Sequence, residues 1–376
     1  MDITVKYKKG RADLIFGKDP AKRVYFQCAH PDHRAPVVWD FAAFAAQVIA
    51  QNFETDVTLH AAVTQTATQN CGYLSEFHRM ARNEDTAYRV RPTTIVPDQP
   101  ATGDIKALCL STGIDSTYAL VSKQAEIEFT HAMVVHGADY RPSHKVGFQT
   151  LLNRVTAMSD IAGLKPVVVK TNLRRIGFDW RMHHIGQLAA CMHFLGPQFS
   201  DVAFAADKTI AQDLIRFPWG NNFAIGTHVG SGTNTTHYIG KDTTRYHKVK
   251  AIQKDARFLN HIGVCAAQKE QGGNCGVCSK CVMTRVAFEC GGMPCPPIFK
   301  AMPDLAKQIT ALSKQRSVVK SRGAPIRAGE MLPYITDPEL RAAVIAFRDA
   351  SLQTQRPYAI ANLFYALRKR LGMVRD

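Results

Sequence analysis

Two short stretches combine residue types at spacings that can do chemistry. Residues 107–120 read Ala-Leu-Cys-Leu-Ser-Thr-Gly-Ile-Asp-Ser-Thr-Tyr-Ala-Leu. A short apolar run ends at Ser111, a small hydroxyl-rich turn follows, and Ile114 to Gln124 reads as a helix. Strand, tight loop and helix in that order set free backbone N–H groups and a helix dipole against a phosphate. Ser111, Ser116 and Thr117 add hydroxyl donors. Asp115 is the odd member, because an acid there repels a phosphate unless a cation or a turn N–H offsets it. It also stands where a helix N-cap belongs. The competing reading is therefore a plain strand-to-helix turn capped by Asp115. No Gly-Lys-Ser/Thr follows, so this is not the phosphate loop of kinases and GTPases.

The second stretch is Cys265-x9-Cys275-x2-Cys278-x2-Cys281. Two-residue spacers let a turn present successive thiolates to one ion, and zinc prefers four such ligands in a tetrahedron. Gly276 and Gly272-Gly273-Asn274 supply the tight backbone of such a knuckle. Four thiolates close the coordination shell, so the metal would be structural. Cys290 or Cys295 could replace Cys265 as the fourth ligand. An iron–sulfur run would place its fourth cysteine about three residues on, followed by Pro. Here the next is Cys290, with eight residues intervening after Cys281, and the Cys-Pro pair is Cys295-Pro296. The absence of any metal is the remaining alternative. Cys28-x-His30-x2-His33 is also ligand-like, but a histidine-rich turn is the simpler reading.

The chain that must position these groups has 376 residues, enough for two or three domains and a large core. Hydrophobic residues make up 46% and charged residues 21%, as in ordinary globular proteins. No apolar run has the length of a membrane span, and the opening residues lack a signal-peptide core, so a cytoplasmic location is expected. Four of the ten cysteines fall within 265–281, which favours metal over a disulfide scaffold. A net charge of +16 favours an anionic ligand or partner. Residues 301–376 hold 13 Lys and Arg against 6 Asp and Glu. No RNA-domain signature accompanies that excess, so nucleic acid is admitted by charge but unsupported by motif.

Hydropathy patterning divides the chain into three. Residues 1–100 read as a separate α+β domain: Ile3–Tyr7 and Val24–Phe26 alternate, and Asp40 to Phe53 is an amphipathic helix. Pro92, Pro97 and Pro100 mark a linker. Residues 101–300 follow a strand–helix rhythm: strands 106–110, 132–136, 166–170 and 201–205, and helices 115–124, 145–162 and about 182–195. That rhythm predicts an α/β fold, a parallel sheet with helices on both faces. Ligands of such sheets bind beyond the strand C-termini, where Ser111, His136–Asp139, Lys170–Asn172 and Asp207-Lys208 fall. Residues 217–250 read as a long polar loop. Residues 301–376 read as a basic helical extension, with helices 303–315, 337–352 and 359–371 and a linker or extended arm over 317–333.

The loop resembles the Ser-Gly-Gly-x-Asp-Ser signature of the PP-loop ATP pyrophosphatases. Ser111, Gly113, Asp115 and Ser116 match, and Thr112 replaces the first glycine. Followed by the cysteine run, the loop makes residues 105–290 similar to the 7-cyano-7-deazaguanine synthase family, and Asn274 to Arg285 to a broader set of synthase-like proteins with an extra N-terminal domain, some from anti-phage gene clusters. Trp180…His184-x3-Leu188-Ala189 and His237-x2-Gly240-x4-Arg245-x2-Lys248 look like that set too. The resemblance implies a PP-loop fold, ATP with Mg²⁺, and Zn²⁺ on Cys265, Cys275, Cys278 and Cys281. It implies cleavage of ATP to AMP and pyrophosphate through adenylation of a carboxylate or amide oxygen. Ser111, Thr112, Gly113, Asp115, Ser116 and Thr117 would hold the nucleotide phosphates. Asp115 would hold the loop or the Mg²⁺, Arg245 and Lys248 would supply counter-charge, and His237 would carry a proton or touch substrate.

The acceptor implied is a small-molecule carboxylate, such as a deazaguanine, or a peptide or protein. The extensions at 1–100 and 301–376 favour the larger kind. Proteins of the same gene cluster and a second copy of the chain are the other partners this reading admits. Residues 205–208 read Ala-Ala-Asp-Lys, not the Gly-x-Asn-x-x-Asp-type stretch of a deazaguanine synthase. Two alternatives remain: an RNA-thiolating PP-loop enzyme, and a nucleotide-binding subunit of a defence complex.

Overall fold

The computed structural model describes residues 1–17, 23–216, 219–265, 273–290, 292, 295–299, 304–319 and 323–353. The chain divides into two compact units. The first comprises Met1–Thr244, Ala251–Gly263 and Gln268–Gly273, and the second Arg245–Lys250, Val264–Ala267 and Asn274–Asp376.

The first unit is built on one ten-stranded sheet. Its strands are β1 (Asp2–Lys8), β2 (Arg11–Phe16), β3 (Arg23–Cys28), β4 (Val57–Thr64), β5 (Val90–Val96), β6 (Ile105–Cys109), β7 (His131–His136), β8 (Lys165–Thr171), β9 (Phe199–Ala205) and β10 (Thr235–Ile239). Across the sheet they run β10-β9-β6-β7-β8-β3-β2-β1-β4-β5. From β10 to β8 every neighbour is parallel. β3 joins β8 antiparallel, β1–β2–β3 form an antiparallel meander, and β4 and β5 add in parallel beyond β1.

Burial follows the pattern each strand carries. β7, His-Ala-Met-Val-Val-His, is buried along five of its six residues, as a strand covered on both faces must be. β2 alternates half-buried and buried, as expected of a strand with one open face. Between the strands lie α1 (Asp40–Phe53), α2 (Gln65–Arg82), α3 (Ile114–Ile127), α4 (Lys145–Ala162), α5 (Trp180–Phe194), α6 (Ile210–Arg216) and α7 (Phe223–Gly226). After β10 come α8 (Arg245–Ile252), at which the chain divides between the units, and α9 (Ala256–Leu259). Alanine-rich α1 is buried from Asp40 to Gln51 and packs against α5. Small residues on that helix allow the close approach. Phe26, Phe41, Phe44, Phe194, Phe199 and Phe204 fill the core, each contributing about 2–3 kcal/mol by burial.

The architecture is α/β, with a largely parallel sheet flanked by helices, as the strand–helix rhythm implies. The first hundred residues carry no sheet of their own, since β1–β5 extend the sheet that holds β6–β10. The segment read as a linker is anchored. Pro92 lies inside edge strand β5, where a missing N–H is tolerated. The Gln99 amide donates to the Gly232 carbonyl (2.9 Å) and the Thr102 amide to the Pro197 carbonyl (2.9 Å).

The second unit is helical: α10 (Ser279–Cys290), α11 (Leu305–Ser313), α12 (Arg316–Val319), α13 (Gly323–Met331) and α14 (338–353). The described residues of 317–333 are thus helical and not an arm. Ala324, Ala328 and Met331 of α13 are buried, and burial of that face is what holds so short a helix. The helix expected at 359–371 lies outside the described residues. Among the described residues no helix is long and apolar enough to cross a membrane.

Candidate functional site

The five parallel strands are ordered third, second, first, fourth, fifth by their sequence from β6. Strand order therefore reverses between β6 and β9, and ligands of open parallel sheets bind at the carboxyl ends beside such a reversal. The two segments leaving those ends are Leu110–Thr117 and Ala206–Thr209.

In the first segment Ser116 ties the turn together. Its hydroxyl accepts from the Ser111 amide (3.2 Å), lies 3.2 Å from the Ser111 hydroxyl and donates to the Gly113 carbonyl (3.2 Å). The N-cap of α3 is Gly113, not Asp115, and a glycine has no side chain with which to cap the helix. Asp115 is half-buried one residue inside the helix. Thr112 occupies the left-handed region with φ 58°, a conformation that costs a β-branched residue about 1–2 kcal/mol. A glycine would adopt it freely, so the substitution retains the backbone shape a glycine would give. The Thr112 carbonyl accepts from the Gly263 amide (2.9 Å), and its buried hydroxyl has no hydrogen-bond partner. A Cβ on Gly263 would lie 2.5 Å from the Arg154 Nη1 and 3.0 Å from the Thr112 hydroxyl, so a guanidinium from α4 reaches this turn. The Thr117 hydroxyl points instead to the Met158 sulfur (3.8 Å), a packing role.

Beyond β9, Lys208 is buried and donates to Asp207 Oδ1 (2.8 Å), with Asp213 3.9 Å away. Its ammonium stands 4.8 Å above the Trp219 ring, whose Nε1 donates to Asp207 Oδ2 (3.0 Å). Trp180 and His184 stack one turn apart on α5 (4.5 Å), and His184 approaches Trp219 (5.6 Å). Burial lowers the His184 pKa against the raising pull of Asp207. Tyr238 of β10 donates to Asn221 Oδ1 (2.8 Å), and its pKa is raised by burial, then by Asp207, Asp213 and Asp115. That influence ties Asp115 electrostatically to the same acidic group. Gly137, just after β7, has φ 129°, and a Cβ there would clash with the Thr171 carbonyl. Only glycine fits this crossing.

His237 sits within β10 and not in a loop, and its Nε2 is bonded to Asp201 Oδ1 (2.7 Å), toward the amino ends of the strands. Arg245 and Lys248 lie on α8 in the second unit, where Lys248 is fully buried. Asn172 hydrogen-bonds the backbone of β3 at Tyr25 and Arg23. Arg154, Trp219 and Tyr238 were not among the expected site residues. Only the tryptophan, flanked by Pro218 and Gly220, stands out by type in a polar stretch.

In the second unit Cys265, Cys275, Cys278 and Cys281 form a cluster that can hold a metal ion, with all four sulfurs within 4.8 Å of one another. Cys265–Cys278 and Cys275–Cys281 are each separated by 3.9 Å. Four ligands at about 2.3 Å in a tetrahedron would be about 3.8 Å apart. The Cys278 amide donates to the Cys275 sulfur (3.3 Å), and Asn274 Oδ1 accepts from the Val264 and Cys265 amides. The Cys281 thiol is pushed up by its hydrogen bond to Cys278 and by burial, as crowded sulfurs are when no cation is present. Cys290 lies against the Met331 carbonyl instead (4.0 Å), and Cys295 borders Arg285. Cys265 is therefore the fourth member.

No protein-family model, curated protein or solved structure matches the chain.

Proposed function

We propose that this protein is an ATP-dependent ligase or synthase of the PP-loop type, which releases AMP and pyrophosphate while activating a carboxylate or amide oxygen. The observation that carries the reading is the serine loop with its glycine N-cap at the β6/β9 reversal, with the strained Thr112 and its unpartnered hydroxyl. ATP bound there would supply the adenylyl group that turns the acceptor oxygen into a leaving group. Ser111, Gly113 and the first-turn amides of α3 would hold the phosphates. Arg154, which reaches the Thr112 turn, and Lys208, which follows β9, would offset pyrophosphate charge. Asp115 would hold Mg²⁺.

Trp180, His184 and Trp219 form an aromatic wall suited to a planar base or an aromatic side chain. Amide formation is favoured over sulfur transfer. Burial pushes up the pKa of Cys109, the cysteine nearest the loop in sequence, which disfavours a thiolate. The thiolate cluster of the second unit would hold one structural zinc. A turnover with ATP, Mg²⁺, ammonia and candidate carboxylates tests the reading by nucleotide analysis. AMP with pyrophosphate is the expected product pair, and ADP with phosphate would overturn it.

A further inference from the structure

A third cluster lies at the opposite, amino-terminal end of the parallel strands. His131 opens β7, so it stands about 16 Å along the strand from His136 at the carboxyl edge. Its Nε2 is 3.1 Å from Asp32 Oδ2, and His30 Nδ1 is 3.7 Å from the same oxygen. The ligand atoms of His30, Asp32 and His131 all lie within 4.8 Å of one another.

His131 Nδ1 lies 2.9 Å from the Thr130 hydroxyl, which also meets the Lys106 amide (3.1 Å) and the Lys106 carbonyl (3.2 Å). A hydroxyl can accept from Nδ1–H, and with a cation bound that tautomer turns the Nε2 lone pair of His131 toward Asp32. His30 Nδ1 accepts from the Asp32 amide (3.2 Å), and a cation on that nitrogen displaces this contact.

We propose that His30, Asp32 and His131 hold a divalent zinc-type cation. Ligands at about 2.1 Å in a tetrahedron lie about 3.4 Å apart, and the two distances to Asp32 bracket that value. The Thr130 bond to His131 Nδ1 is the outer contact that metal-binding imidazoles usually make. Two imidazoles and one carboxylate suit zinc or nickel and leave a coordination position open. Asp32 is partly exposed, so that position faces water. Lys165 Nζ, 3.9 Å from Asp32 Oδ2 and largely exposed, is the competing cation and can swing aside.

The test is metal titration of the full chain with its thiolate cluster already loaded, using zinc and nickel alone and reading stoichiometry and affinity. A second equivalent is expected for the wild type. Asp32→Ala and His30→Ala, both at partly exposed positions, should weaken it at least tenfold while melting without the second metal stays unchanged. Lys165→Ala should tighten it severalfold, a gain that a purely structural role would not produce. Uptake of one equivalent only, or a second equivalent that Asp32→Ala leaves intact, would overturn the assignment.

Discussion

The thiolate cluster and the serine loop are both strand- or helix-flanked turns, yet they are assembled differently. The cluster draws all four sulfurs, each in the second unit, from a span of seventeen residues, and Asn274 and Cys278 within that span supply outer contacts. The loop is completed by residues distant in sequence, Arg154 from α4 and Gly263 after α9. The edge beside it is furnished by Lys208, Trp219 and Tyr238. A knuckle organised by an ion depends on that ion for its shape. A loop organised by a sheet keeps its shape without a ligand. The two regions should therefore respond oppositely to mutation, the first through folding and the second through binding and turnover.

The largest effect is expected from Cys278→Ser. Zinc content should fall from about one per chain to near zero, and the second unit should lose cooperative melting. Structural zinc contributes about 10–16 kcal/mol of apparent binding energy in small zinc-binding peptides, and that energy is folding energy. Metal analysis and calorimetry together check this. A variant that loses zinc yet melts as the wild type would show that the knuckle is organised by packing, and the contrast with the loop would collapse.

Asp115→Ala should act the other way. Pyrophosphate release is expected to fall about a hundredfold or more, equivalent to about 2.7 kcal/mol, with little change in melting, because the half-buried carboxylate provides no helix cap. Ser116→Ala should lower both. Its hydroxyl holds the turn by bonds to Ser111 and Gly113, and losing them costs about 1 kcal/mol. Equal losses of stability in the two variants would contradict the separation of roles.

Legibility in the sequence follows the same division. Helices Asp40–Phe53 and Lys145–Ala162 were readable to the residue, because their apolar period is strong and their ends carry turn residues. Strands β6 to β9 were readable as apolar runs, and the cysteine knuckle by its spacing. The joining of the first hundred residues to the sheet was not, since the β3–β8 ladder links residues more than 140 positions apart and no local pattern encodes it. β10 was hidden because Thr-Thr-His-Tyr-Ile, flanked by Gly- and Thr-rich turns, is too polar to read as a buried strand. The loop's N-cap was misread because Asp115 is the better capping residue by type, whereas the helix begins one residue before it. Arg154 could not be found from sequence, where it is one arginine among many.

Acid should expose a further difference between the units. In the first, His78 and His183 have ring centroids 4.4 Å apart. Burial, then His183, pushes His78 down to about 3, and burial, then Arg82, pushes His183 down to about 4. Both folded values lie below the free histidine value of about 6.5. Above that pH neither state is protonated at these sites. Below it the unfolded chain takes up protons the folded chain refuses, so stability falls as pH drops from about 6.5 toward 4. His78→Phe should flatten that slope in melting curves recorded with a zinc-release dye. The dye reports the second unit separately, where protonation of thiolates expels the metal. An unchanged slope in His78→Phe would place the acid sensitivity elsewhere.

The smallest effect tests whether the loop's shape is preset. Thr112 at φ 58° carries left-handed strain of about 1–2 kcal/mol. Glycine would relieve that strain at an entropic cost of about 0.5–1 kcal/mol. Thr112→Gly should therefore raise stability by up to about 1 kcal/mol, and loss of a buried, unpartnered hydroxyl acts in the same direction. Thr112→Val retains the strain and removes only the hydroxyl, so it separates the two contributions. If the hydroxyl meets a phosphate, both variants should bind ATP a few-fold more weakly, although the glycine variant, which also loses the strain, is the more stabilised. If only the backbone shape matters, Thr112→Gly should bind as the wild type. A glycine variant that is destabilised by more than about 1 kcal/mol would show that this turn stores no strain, since glycine's entropic cost alone does not exceed that value. The serine loop would then need its threonine for packing, as Thr117 is needed against Met158.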